Sequence, residues 1–210
     1  MPAVTLFLLA DDPSITDVAL SALPWSDDAV ARMSQIANVQ RRRQFMLGRC
    51  LLAQAAGELS GVALTVNNIL ERAQASPIID RQPDLAVSLS HTGPWLGLAL
   101  AQNTRLGLDL ELGRPRNVLA LARHAYAATD LAWVEQASAT EQAERFYLLW
   151  TLREAGFKGG LREHVYGEPA ALPLLDDACA ASGVVEPNLY WAVVAAHPIN
   201  VTIRPLVLQL

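Results

Sequence analysis

The chain has 210 residues, of which 52% are apolar and 18% charged, and carries a net charge of −5. That balance supports a buried core and excludes a disordered chain, and the acidic excess argues against a general nucleic-acid binder. The length admits either one elongated domain or two small packed halves.

The opening stretch, residues 4–9, reads as a β-strand. It has no basic leader and its apolar run is short, so it does not read as a signal peptide. No stretch approaches the roughly 18 apolar residues that a membrane span requires, so a cytoplasmic protein without membrane contact is expected. Cys50 and Cys179 stand far apart without a ligand pattern and read as two buried thiols of a reducing compartment.

Ser26 can cap a helix whose first turn holds Asp27 and Asp28, where the helix dipole favours acids. Helical spacing then continues to about Leu59, with a break near Asn38. Phe45, Leu52, Ala56 and Leu59 form its expected apolar stripe. The segment from Ala29 to Gly57 holds Arg32, Arg41, Arg42, Arg43 and Arg49 but no acid. Such a local positive surface suits an anionic ligand or an acidic partner, and it equally suits a solvated helix face.

Short strands are expected at 67–72, 85–91 and 95–102, with Gly93-Pro94 turning between the last two. A strand at 105–111, helices at 118–127, 130–136 and 141–156, and strands at 190–196 and 201–208 follow. Residues 159–188, rich in glycine and proline, read as a long surface loop with some short structure. Strand, helices and strands thus occur twice, although no residue-level repeat accompanies them.

Two features carry chemistry. Asp109 and Glu111 interrupt the apolar strand two residues apart, which sets their side chains on one face with Cα atoms about 6.7 Å apart. Two carboxylates brought to about 4 Å repel by roughly 4 kcal/mol at an effective dielectric near 20, so a half-buried pair needs a proton or a cation. A hard divalent ion such as Mg²⁺ answers that need and leaves room for phosphate oxygens. The same spacing also fits an edge strand with both carboxylates in water. The second feature is Lys158, the single lysine beside fifteen arginines. Trp150, Glu154 and Lys158 recur at helical spacing and share a face, while Leu149, Leu152 and Ala155 can point inward. An exposed Glu–Lys pair would account for that spacing equally well.

Four segments nevertheless stand in one order: Phe45-Met46-Leu47-Gly48-Arg49-Cys50-Leu51-Leu52, Ser88-Leu89-Ser90-His91-Thr92-Gly93, Gly107-Leu108-Asp109-Leu110-Glu111, and Trp150-Thr151-Leu152-Arg153-Glu154-Ala155-Gly156-Phe157-Lys158. Together they resemble the Sfp-type 4′-phosphopantetheinyl transferases of the holo-acyl-carrier-protein synthase superfamily. Their signature is a G-x-D-x-E strand followed by W-x-x-K-E-x-x-x-K.

The resemblance implies Mg²⁺-dependent transfer of 4′-phosphopantetheine from coenzyme A to a serine of an apo acyl or peptidyl carrier protein, releasing adenosine 3′,5′-bisphosphate. Fatty-acid, polyketide or nonribosomal peptide synthesis would be its setting. The implied fold is α+β, with two similar halves in one chain, residues 1–103 and 104–210, forming a pseudo-dimer whose active site lies in the cleft between them. Two fused halves would permit a monomer. Carried over by position, Asp109, Glu111 and Glu154 would hold the metal. Glu154 would take the serine proton directly or through a water, Lys158 would meet the phosphates, and Arg49 and His91 would contact coenzyme A. Arg41, Arg42, Arg43, Arg114 and Arg116 are candidates to steer an acidic carrier.

Some positions depart from the family pattern. Arg153 replaces the first lysine of the helical motif, Ala53 stands where a second basic residue is usual, and Ala75-Ser76-Pro77 replaces G-K-P. Gly159-Gly160-Leu161-Arg162 matches the usual small-residue run imperfectly. These changes spare the carboxylates and bear on coenzyme A affinity. They also favour the alternative, a non-catalytic relative that still binds carrier protein or coenzyme A.

Overall fold

The computed structural model describes residues 1–73, 75–161, 170–176, 178–186 and 188–209. The chain divides into two compact units, one comprising Val4–Asn103 with Thr202–Leu210, the other Met1–Ala3 with Thr104–Val201. Mixed α+β structure is present in each, as expected.

The first unit opens with strand β1 (Ala3–Ala10), followed by helices α1 (Asp17–Ser21), α2 (Asp27–Ser34) and α3 (Val39–Ser60). Ser26 caps α2 by accepting from the Ala29 N–H at 3.3 Å, and Asn38 caps α3 by accepting from the Arg41 N–H at 2.9 Å. The anticipated break at Asn38 is therefore a new helix start. Gly61, with φ of 69°, ends α3 in the left-handed conformation that glycine adopts without strain. A short pair, β2 (Ile69–Leu70) and β3 (Ile78–Ile79), leads into the hairpin of β4 (Leu85–Thr92) and β5 (Trp95–Gln102). Gly93 has φ of 52°, which suits the first central position of a tight hairpin turn.

Helix α3 packs on β5, and Leu47, Leu51 and Ala55 are fully buried beside Leu98 and Leu100. The stripe expected from the sequence is met at Leu52 and Ala56, but Leu59 is 45% exposed. A seven-residue step leaves an ideal helix about 20° short of two full turns, so over the two such steps from Phe45 the expected face drifts by about 40° and leaves the core by Leu59.

The second unit begins with β6 (Leu106–Leu112), then α4 (Val118–Ala125), α5 (Ala128–Glu135), α6 (Gln142–Lys158) and α7 (Pro173–Asp176), and continues with β7 (Ala180–Val185) and β8 (Leu189–Ala195). Helix α6 lies against β6 and β8, burying Phe146, Leu149, Leu152 and Ala155 with Ala192 and Val194. Part of the expected loop is strand β7, paired antiparallel with β8. Its small side chains lack apolar alternation, and the glycine that reads as a loop signal serves packing: a β-carbon on Gly183 would meet the Trp191 indole at 3.1 Å. Residues 162–169 of that stretch lie outside the described residues.

The last strand, β9 (Asn200–Pro205), completes the first unit's sheet in the order β4-β5-β1-β9, while the second unit's sheet has the order β6-β8-β7. In each unit the opening strand pairs antiparallel with the later strand of the hairpin: β1 with β5, β6 with β8. Cys50 is buried as expected, but Cys179 is only half-buried, a departure from the reading of two buried thiols. Among the described residues no helix is long and apolar enough to cross a membrane.

Candidate active site

The second unit brings two of the motifs into contact. Gly107 of β6 faces α6 so closely that a β-carbon there would lie 1.9 Å from the Ala155 carbonyl oxygen and 2.5 Å from the Gly159 nitrogen. Because strand side chains alternate, Asp109 and Glu111 face the same side as Gly107. At the end of α6, Lys158 donates from Nζ to Asp109 Oδ1 at 2.6 Å, across 49 residues of sequence. Strand β6 does lie at the edge of its sheet, but Asp109 is only 6% exposed, so its carboxylate does not stand in water.

Glu111 meets a different cation. Its Oε1 lies 3.5 Å from Arg116 Nη2. Glu154 is half-buried on α6, one turn before Lys158 and on the same face. Asp109, Glu111 and Glu154 are not drawn into one cluster, for among the described residues no group of three or more His, Cys, Asp or Glu side chains could hold a metal ion. The first two carboxylates are instead engaged by an ammonium and a guanidinium.

Arg153, the replacement for the motif's first lysine, sets its guanidinium carbon 5.8 Å from the Tyr126 ring centroid. A planar guanidinium suits an aromatic face better than a compact ammonium does. The Tyr126 hydroxyl donates to the Phe146 carbonyl at 2.6 Å. Burial first of all pushes the Tyr126 phenol well above its ordinary pKa, with the Arg153 charge opposing.

The first unit unites the other two motifs. Arg49 on α3 and His91 on β4 line one pocket of about 410 Å³, together with Arg32, Arg41, Phe45 and Leu89. Burial holds the Arg41 guanidinium below its ordinary pKa, and repulsion from Arg49 and then Arg32 adds to the effect. The pocket wall thus concentrates positive charge beside apolar surface, which suits an anionic ligand with a planar apolar part. Arg49 is already engaged: its Nε and Nη2 donate to Glu71 at 2.6 and 2.8 Å, and its Cζ lies 4.3 Å from the Phe45 ring centroid.

The acid-free segment that the sequence marked as suited to an anionic ligand or an acidic partner supplies Arg32 and Arg41 to this pocket. Sequence reasoning had no signal for the Arg49–Glu71 or Glu111–Arg116 pairs, which link positions only the fold brings together. Arg43, expected to steer a partner, is instead bound to Asp11 and Asp17, each at 2.6 Å, with 13% of its side chain exposed. His124 and His197 line no site described here, and His164 lies outside the described residues.

Residues 105–160 match the family model described as the 4′-phosphopantetheinyl transferase superfamily. The chain is 27% identical over 175 residues to 4′-phosphopantetheinyl transferase AcpT of Salmonella typhimurium, covering 82% of this chain and 86% of that protein. It is 29% identical over 116 residues to the protein of the same name from Escherichia coli K12, covering 55% of this chain and 56% of the relative. With 4′-phosphopantetheinyl transferase Sfp of Bacillus subtilis it shares 28% identity over 136 residues, covering 58% and 60% of the two chains. The resemblance read from the four motifs is thereby borne out.

Proposed function

We propose that this chain, a relative of the 4′-phosphopantetheinyl transferases by its match across residues 105–160, moves the 4′-phosphopantetheine group from coenzyme A to a serine of an apo carrier protein. The observation that supports it most is the contact of Lys158 with Asp109 at 2.6 Å. It joins the two halves of the family signature at one place in the fold.

In this reading the serine oxygen attacks the phosphorus that bears pantetheine, and the bridging bond to the nucleotide breaks. Adenosine 3′,5′-bisphosphate leaves. Glu154 takes the serine proton, for which it must come within about 3 Å or reach through one water. Lys158 sets a compact positive charge against the pyrophosphate. Arg49, His91, Arg32 and Arg41 bind the nucleotide end of coenzyme A, whose phosphates match their charge.

The donor set of Asp109, Glu111 and Glu154 suits Mg²⁺, because it consists of carboxylate oxygens alone. The pairing of Asp109 and Glu111 with Lys158 and Arg116 supports this fit: the place draws positive charge. When bound there, the ion would neutralise charge on the pyrophosphate. An acidic carrier protein is the expected macromolecular partner.

A second reading, a non-catalytic relative that binds carrier protein or coenzyme A, draws support from Arg49, whose guanidinium is bound bidentately by Glu71. Incubating the purified chain with coenzyme A, Mg²⁺ and an apo carrier separates the two. A phosphopantetheine-sized mass gain on the carrier supports transfer, whereas binding of carriers without any mass gain supports the second reading.

A further inference from the structure

The strand that bears the two carboxylates runs into Gly113-Arg114-Pro115-Arg116-Asn117, a segment fastened along its length. The Gly113 N–H donates to the Asn188 carbonyl at 2.7 Å. Glycine is required there, since a β-carbon would meet the Tyr190 ring at 2.9 Å. The Arg114 N–H donates to the Tyr147 hydroxyl at 2.8 Å, and that hydroxyl donates back to the Arg114 carbonyl at 3.1 Å. Asn117 closes the segment by capping α4, accepting from the Ala120 N–H at 3.1 Å.

Tyr147 itself is fixed. It is 2% exposed and stacks on Tyr190 with ring centroids 4.8 Å apart, and Tyr190 is the cross-strand partner of Glu111. Between these anchors Arg116 is presented to Glu111, with Nη2 3.5 Å from Oε1 and Cζ 5.3 Å from the Tyr147 ring centroid. The face of one tyrosine thus orients the guanidinium, and its hydroxyl holds the backbone two residues earlier. This placement differs from the partner-steering role expected for Arg116.

We propose that Arg116, positioned by Tyr147, sets how tightly Glu111 takes a divalent cation, and through it the cation requirement of the transfer reaction. The inference rests on reading Glu111 as a cation ligand. A guanidinium and a divalent cation compete for the same carboxylate oxygens, and each repels the other when both are close. Because the Arg116 and Glu111 side chains are 33% and 26% exposed, solvent weakens their pairing. The competition is then worth a severalfold change in affinity, not orders of magnitude.

Binding of Mn²⁺ alone to the full chain, followed by electron paramagnetic resonance, tests this in wild type, Arg116→Ala, Arg116→Gln, Arg116→Lys, Tyr147→Phe and Glu111→Gln. Both neutral substitutions at 116 should tighten Mn²⁺ binding by roughly three- to fivefold. Lysine should restore part of the wild-type weakness, and Tyr147→Phe should shift affinity in the same direction as Arg116→Ala by a smaller factor. In a Glu111→Gln background the effect of Arg116→Ala should vanish, as a shared partner requires. If Glu111→Gln weakens Mn²⁺ binding while both neutral variants at 116 leave it unchanged or weaken it, the role of Arg116 is overturned and the reading of Glu111 stands. If wild type and Glu111→Gln bind Mn²⁺ equally, or neither binds it, both are overturned.

Discussion

Gly107 and Ala155 meet backbone to backbone: a β-carbon on the glycine would stand 1.9 Å from the alanine carbonyl oxygen, far inside contact distance. Helix α6 therefore lies directly on β6 and can lower Lys158 onto Asp109. Gly107→Ala should force the two elements apart and cost about 1–3 kcal/mol, read as a fall in Tm of roughly 2–4 °C per kcal/mol. Transfer activity should fall further than that loss of folded protein explains, since the same contact positions the signature residues.

Replacing Lys158 should separate charge from shape. Asp109 is nearly buried and the lysine side chain is 35% exposed, so the pair contributes less than a fully buried one. Lys158→Met is expected to lower kcat by roughly 10- to 100-fold with a modest loss of stability. Lys158→Arg should rescue little, because a planar fork cannot reproduce the placement of an ammonium. Steady-state kinetics at saturating coenzyme A check both outcomes.

The pocket on the first unit yields a prediction that divides binding from folding. Arg41→Ala and His91→Ala should raise the KM for coenzyme A by about 5- to 10-fold with little change in kcat. Arg49→Ala should do the same and also lower Tm, because it leaves the Glu71 carboxylate, with 10% of its side chain exposed, without its bidentate partner. Glu71→Gln should tighten coenzyme A binding by withdrawing a competing charge. Calorimetric titration of coenzyme A, paired with thermal melts, reads each effect separately.

Much of the fold is legible where side-chain pattern and turn chemistry agree. The caps at Ser26 and Asn38 and the Gly93-Pro94 turn all sit where local chemistry puts them. Strand β7 escapes because Ala180, Ala181, Ser182 and Gly183 carry no apolar alternation; the ladder to β8 holds it. Within the site, Asp109 and Lys158 are legible because their motifs carry them. Glu71 and Arg116 are not, since their partners are chosen by packing. The isolated charge of Arg43 misleads for the same reason: its acids lie 32 and 26 residues away in sequence.

Burial pushes the Cys50 thiol up to about 12, from an ordinary 9.0. At neutral pH its thiolate fraction is on the order of 10⁻⁵, so iodoacetamide should label Cys179 and spare Cys50 until the protein is unfolded. Below pH 9 both folded and unfolded thiols are protonated and Cys50 costs nothing. Between pH 9 and about 12 only the unfolded thiol ionises, so stability should fall across that window. Cys50→Ala should remove that part of the pH dependence in denaturant melts while costing some packing.

Transfer chemistry at the Asp109 and Lys158 contact is tested most directly by intact-mass spectrometry of an apo carrier protein. With coenzyme A and Mg²⁺ the carrier should gain one phosphopantetheine group, and chelator, Asp109→Ala or Glu154→Gln should each abolish the gain. A carrier that gains the group at the wild-type rate from Asp109→Ala and Glu154→Gln, or carriers that bind the wild-type chain and never gain it, would contradict the account.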